Sequence, residues 1–109
     1  MSDFLYEILI PTIVDGKPVR RRQHKVWDKA VQKITGGLTV CPPTIIGYWA
    51  SQEGELFSER TIPVRIKCTK EQINTIADFT ASFYKQKAIM FYLISNEVCI
   101  INYVDGKRV

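Results

Sequence analysis

Residues 45–72 read IIGYWASQEGELFSERTIPVRIKCTKEQ, and this stretch decides the fold. Ile45 to Ser51 and Leu56 to Cys68 are both rich in β-branched and aromatic residues, with the turn signal Gln52-Glu53-Gly54-Glu55 between them. They read as a hairpin centred on Glu53-Gly54. In the second run Ile62, Val64, Ile66 and Cys68 alternate with Thr61, Pro63, Arg65 and Lys67, which gives one apolar and one polar face. Thr69-Lys70-Glu71-Gln72 is then a capping box: a hydroxyl accepts from the N–H three residues on, and the glutamine side chain reaches back. Ile73, Ile76, Ala77, Thr80, Phe83 and Tyr84 keep helical period from there to about Gln86.

Upstream, Phe4 to Val14 reads as a strand with Phe4, Tyr6, Ile8 and Ile10 on one face, closed by the turn Asp15-Gly16-Lys17-Pro18. Val26, Trp27, Ala30, Val31 and Ile34 recur at helical spacing from about Arg21 to Thr35, where Gly36-Gly37 supplies the stop. Leu38 to Cys41 is a short extended piece ended by Pro42-Pro43. Downstream, Ala88 to Ser95 and Glu97 to Val104 read as two strands joined through Ser95-Asn96, with a polar tail from Asp105 to Val109. The order βαββαβ plus one extra C-terminal strand predicts an α+β, ferredoxin-like sandwich: one domain over residues 1–109, an antiparallel sheet, two helices on one face and no internal repeats. The other face is then open. An uncovered face rich in Tyr, Ile and Phe is expected to be buried against another copy of the chain, as a small core also favours.

With 46% hydrophobic and 24% charged residues among 109, the composition is that of an ordinary globular chain. No apolar run approaches the roughly 20 residues that cross a bilayer, so no membrane partner is expected. No basic region precedes the first apolar stretch, so a signal peptide is not expected and the cytoplasm is. Cys41, Cys68 and Cys99 are odd in number and sit in apolar runs, which favours small core hydrophobes over disulfides or zinc ligands. The net charge of +4 is concentrated in Lys17, Arg20, Arg21, Arg22 and Lys25. Lacking interleaved aromatics, this cluster reads as a solvated basic face, with no nucleic-acid partner expected. His24, the single histidine, has no acid or cysteine at ligand spacing, so no metal is expected. Nucleophile-elbow and phosphate-loop motifs are also missing.

One constellation could carry chemistry. A turn centred between Glu53 and Gly54 places Tyr48 directly opposite Glu59, on one face, with Trp49 and Ser58 on the other. Cross-strand partners have Cβ atoms about 4.5 to 5.5 Å apart, close enough for a phenol and a carboxylate to share a ligand. Pro63 cannot donate to the ladder, and a slip of one residue would separate the pair.

The segment from Gly47 to about Tyr103 resembles the bacteriophage S-adenosylmethionine lyases, formerly described as hydrolases. The matching features are Gly47-Tyr48 entering a strand, Glu59 after it, and the passage Val64-Arg65-Ile66-Lys67-Cys68-Thr69-Lys70 into the second helix. Gly47, Trp49, Gly54, Glu59 and Gln86 also look like a broader group of small ferredoxin-like bacterial proteins. The lyase resemblance implies a homotrimer, similar in plan to the PII signalling family, with sites between subunits. It implies S-adenosylmethionine as substrate, cleaved to 5′-methylthioadenosine and homoserine lactone, with no cofactor. It also implies a counter-defence role in the host bacterial cytoplasm. Tyr48 and Glu59 would be the catalytic residues, and Gly47 and Gln86 substrate contacts. Two other readings stay open: a PII-like adenine-nucleotide sensor without turnover, and a basic inhibitor of a nucleic-acid enzyme.

Overall fold

The computed structural model describes residues 3–43, 45–50 and 52–109, with backbone alone at Gly47, Trp49 and Phe57. The elements are β1 (Phe4–Pro11), β2 (Ile13–Val14), β3 (Lys17–Pro18), α1 (Arg21–Thr35), β4 (Thr39–Val40), β5 (Ile45–Ala50), β6 (Leu56–Cys68), α2 (Lys70–Phe83), β7 (Phe91–Ser95), β8 (Tyr103–Val104) and β9 (Lys107–Arg108). The main sheet has the order β4-β6-β1-β7, with β5 also paired to β6, and every pairing in it is antiparallel. With α1 and α2 on one face this is the ferredoxin-like α+β arrangement the sequence predicts.

Two local signals set the bounds of the helices in this plan. The Thr69 hydroxyl accepts from the Gln72 N–H at 3.1 Å while Gln72 Oε1 accepts from the Thr69 N–H at 2.9 Å, so α2 starts where the capping box reads. At the other helix, Gly36 takes a left-handed φ of 89°, which only a residue without a Cβ adopts freely, and ends α1.

The core lies between sheet and helices. Tyr6, Ile8 and Ile10 of β1 and Val64, Ile66 and Cys68 of β6 meet Trp27 and Val31 of α1 and Ile73 and Ile76 of α2. Trp27 brings an indole N–H into this apolar layer and donates it to Thr80 Oγ1 at 3.0 Å; Thr80 in turn donates to the Ile76 carbonyl at 2.6 Å. Of the cysteines only Cys68 is a core residue. Cys41 is half-buried and Cys99 exposed, and all three are free thiols.

The open face differs from the sequence expectation. The row containing Tyr6, Ile8 and Ile10 is the one the helices cover, because alternation puts all of it on one side and the helices need an apolar partner. The open side instead carries a polar row across three strands, Arg65–Glu7–Tyr92, in ladder register. Arg65 Nε–H donates to Glu7 Oε1 at 3.0 Å, the Tyr92 hydroxyl donates to Glu7 Oε2, and Glu7 is only 4% exposed. Lys67 Nζ donates to Asp3 Oδ2 at 2.7 Å on the same side.

The C-terminal part also departs from prediction. In place of one long strand from Glu97 to Val104, β8 and β9 form a two-stranded hairpin that pairs only with itself. Its turn is Asp105-Gly106, with φ of 50° and 75°, the same geometry as Asp15-Gly16 between β2 and β3, with 51° and 73°. Both ribbons share the sequence Val-Asp-Gly-Lys and close with the same bond, Val19 N–H to Thr12 O and Val109 N–H to Asn102 O. The chain therefore uses one small hairpin twice, at a length well below that of a structural repeat. Two left-handed residues in succession give the twist a two-residue hairpin needs. On the C-terminal arm Ile100 is 67% and Tyr103 57% exposed, so its apolar residues find no cover within the chain.

Candidate functional site

A cleft of about 220 Å³ opens where β1, β5, β6 and the segment after α2 converge. Leu9, Pro11, Ala88, Ile89 and Met90 give it apolar walls; Tyr48, Glu59, Thr61 and Gln86 supply its polar groups. Three of the four residues singled out from sequence, Tyr48, Glu59 and Gln86, thus border one cavity. Gly47, the fourth, sits directly opposite Glu59 in the β5–β6 ladder.

Tyr48 and Glu59 are not cross-strand partners. Tyr48 pairs with Ser58 and Glu59 with Gly47, one residue out of the expected register. The cause is the loop. Ala50 pairs with Leu56, so the connection has an odd number of residues, and Gly54 takes φ of 85° within it. An even, two-residue turn at Glu53-Gly54 would have given the other register; the longer loop needs one left-handed residue and glycine supplies it. The expected facing of Trp49 lies outside the described side chains. Tyr48 is 79% exposed and forms the cleft's outer rim.

Glu59 is the chemically unusual group. Its Oε1 atom is buried and has no hydrogen-bond partner among the described residues. Burial holds its carboxyl above the usual carboxylate range. A buried oxygen without a donor costs free energy unless a ligand supplies one. Thr61 Oγ1 is already committed, donating to the Ile45 carbonyl at 3.1 Å. Gln86 donates its amide to the Tyr84 carbonyl at 3.0 Å, which orients the side chain and leaves its carbonyl oxygen available to a ligand.

His24 stands elsewhere, with Nδ1 2.7 Å from the Tyr84 hydroxyl; burial lowers its pKa, opposed by nearby Asp28. Among the described residues no three of His, Cys, Asp and Glu gather as a metal site would need. The sequence reading missed the Glu7–Arg65–Tyr92 row. The signal was present, an acid in a strand otherwise apolar on both faces, but its partners lie in strands far apart in sequence.

No protein-family model matches the chain, and no curated protein matches it in sequence. Solved structures do match it in fold. A divalent cation tolerance protein (CutA1) from Thermus thermophilus superposes with a TM-score of 0.61 at 12% identity, over 94% of this chain and 88% of that one. CutA1 from Oryza sativa gives 0.63 at 9% identity, over 92% and 84%. A phage S-adenosylmethionine lyase in complex with S-methyl-5′-thioadenosine gives 0.60 at 14% identity, over 87% and 82%. At such identities the likeness carries the fold alone, and most of the matched structures are divalent cation tolerance proteins. The resemblance to the lyases is therefore corrected. The strand, loop and helix features behind it belong to a scaffold that differently named proteins share. With it fall the lyase activity, S-adenosylmethionine as substrate, the phage counter-defence role and the trimer built around that substrate.

Proposed function

We propose that this chain is a binding protein without turnover, which self-associates and holds a small organic cation in the cleft bordered by Tyr48, Glu59 and Gln86. The observation that carries the reading is the buried, unpartnered Glu59 Oε1 at the edge of an apolar cavity. A carboxylate there is satisfied by a donor on the ligand, best a charged one, because a charge-assisted hydrogen bond is roughly twice as strong as a neutral one. The aliphatic walls suit the ligand's apolar body. Gly47 opposite Glu59 adds no side chain over the carboxylate, and the Gln86 carbonyl is a second acceptor. A hard divalent metal fits these walls less well, since it takes about six or more oxygen ligands and Glu59 is the one acid that borders the cleft.

Titrating the Glu59 carboxyl carbon by NMR tests this. Butylammonium should move its pKa back down toward the ordinary range, because a nearby cation favours the charged form; butanol should leave it in place. A Glu59 titration that ignores butylammonium, or one that responds more strongly to Mg²⁺, would overturn the reading.

Self-association rests on the C-terminal arm, where Ile100, Tyr103 and Val104 lie exposed, and on the free edge of β7 with Leu93. Light scattering should give a mass of several chains, and a monodisperse monomer at micromolar concentration refutes it. Among the described residues no helix is long and apolar enough to cross a membrane. Three free thiols suit the reducing cytoplasm, where we place the protein.

A further inference from the structure

A second cleft, of about 570 Å³, lies away from Glu59, between the β2–β3 hairpin and the facing ends of α1 and α2. Three cationic side chains border it: Lys17 of β3, Arg20 just before α1, and Lys85 just after the C-cap of α2. No acid borders it. Asp15, in the hairpin turn near Lys17, is not among its residues. The two ion pairs of the described residues, Arg65–Glu7 and Lys67–Asp3, are on the open face of the sheet, so all three cations of this cleft stand without an acidic partner.

We propose that this cleft binds a small phosphate-bearing anion of di- or triphosphate class. Three like charges brought from separate segments to one concavity repel one another and focus a positive potential there, which a compact polyanion relieves. The neutral groups support it. Gln23 spends its carbonyl oxygen accepting from the Arg20 N–H at 3.0 Å, so its amide NH₂ remains as a donor. Val14, Val19 and Phe83 form the apolar part of the wall.

The geometry favours a small ligand over nucleic acid. Of the bordering aromatics, Tyr84 is buried and holds His24, and Phe83 packs its ring on Phe79 and Tyr84. Neither offers a free face for stacking a base. The three charges also come from three separate segments onto one cleft.

Calorimetric titration of the full chain with inorganic tripolyphosphate near physiological salt tests the proposal. Saturable binding is expected, and Arg20→Gln and Lys85→Gln should each weaken it about tenfold, the loss of one hydrogen bond to a charged group. These side chains are exposed, so circular dichroism of the variants should match the wild type. Lys29→Gln, on α1 outside the cleft, and Glu59→Gln should bind as the parent does. Absence of saturable binding overturns the proposal. So does an equal loss in Lys29→Gln, or a short DNA duplex binding as tightly, since either would make this a general basic surface.

Discussion

Thr80→Val tests what fixes the two helices against each other. Valine keeps the shape of threonine but removes the oxygen that accepts from Trp27 Nε1–H, and both residues are fully buried. The orphaned indole N–H then has no water to turn to. Leaving one buried polar group unmet costs about 1–3 kcal/mol. The bond from Thr80 to the Ile76 carbonyl is also lost, but that carbonyl lies within α2, so this term is small. A net cost of about 2 kcal/mol should lower the melting temperature by roughly 8–16 °C in a domain of this size. The cause can be isolated by a cycle with Trp27→Phe, in which no N–H is left to orphan. In that background Thr80→Val should cost at least about 1 kcal/mol less, a coupling well above the usual additivity error of about 0.5 kcal/mol. Calorimetric melting of the four proteins reads it directly. Equal losses in the two backgrounds would refute the idea that this hydrogen bond, and not the methyl packing around it, holds the helix pair.

Three further outcomes follow from single residues. The Glu59 carboxyl is raised above its ordinary 4.5, so its contribution to stability is full below that value and is lost as pH rises through the folded pKa. Glu59→Gln should therefore melt with the parent at low pH and slightly above it at neutral pH, the gain kept small by solvent at a partly exposed group; a lower neutral melting temperature contradicts this. Gly36→Ala should cost about 1–2 kcal/mol, because its φ of 89° suits no Cβ although nothing lies within 4 Å to clash, while Gly37→Ala stays near neutral. Equal urea midpoints for the two variants would remove the backbone argument. Cys68, buried with its thiol pushed up to about 11, should resist iodoacetamide until the protein unfolds, and rapid native labelling by mass spectrometry would place it outside the core.

How much of this was legible in the sequence depended on how local the cause was. The capping box at Thr69 and Gln72 acts within four residues, and α2 begins there as read. The bounds of β6 and α1 also follow from local alternation and from Gly36. The β5–β6 register did not, because Glu53-Gly54 marks a turn without fixing whether the loop is odd or even, and one residue of loop length decides which residue faces Glu59. The covered face of β1 was misjudged for a related reason. Alternation shows that Tyr6, Ile8 and Ile10 share a side, but only the packed helices determine that it is the dry one. The Val-Asp-Gly-Lys ribbons were readable in principle, since the motif occurs twice, but four residues fall below the length at which repeats are sought.

The two clefts separate the roles of pattern and packing in making a site. In the sequence, Tyr48 and Glu59 stood out as a pair through an assumed ladder contact, and that contact is absent; they border the same cleft because β6 runs past β5 toward β1 and the segment after α2 closes the other side. Lys17, Arg20 and Lys85 stood out less, two of them as part of a basic run and the third not at all. They converge because the hairpin folds Lys17 back toward the start of α1, while Tyr84, tied to His24, sets the end of α2 alongside. The first cleft has one acid with a buried oxygen to satisfy, and the second has three cations with no acid to meet them. Each leaves an electrostatic imbalance that the fold does not correct from within. Opposite imbalances call for opposite ligands, so excess tripolyphosphate should not compete with butylammonium. Competition between the two would mean that the clefts do not act as separate sites.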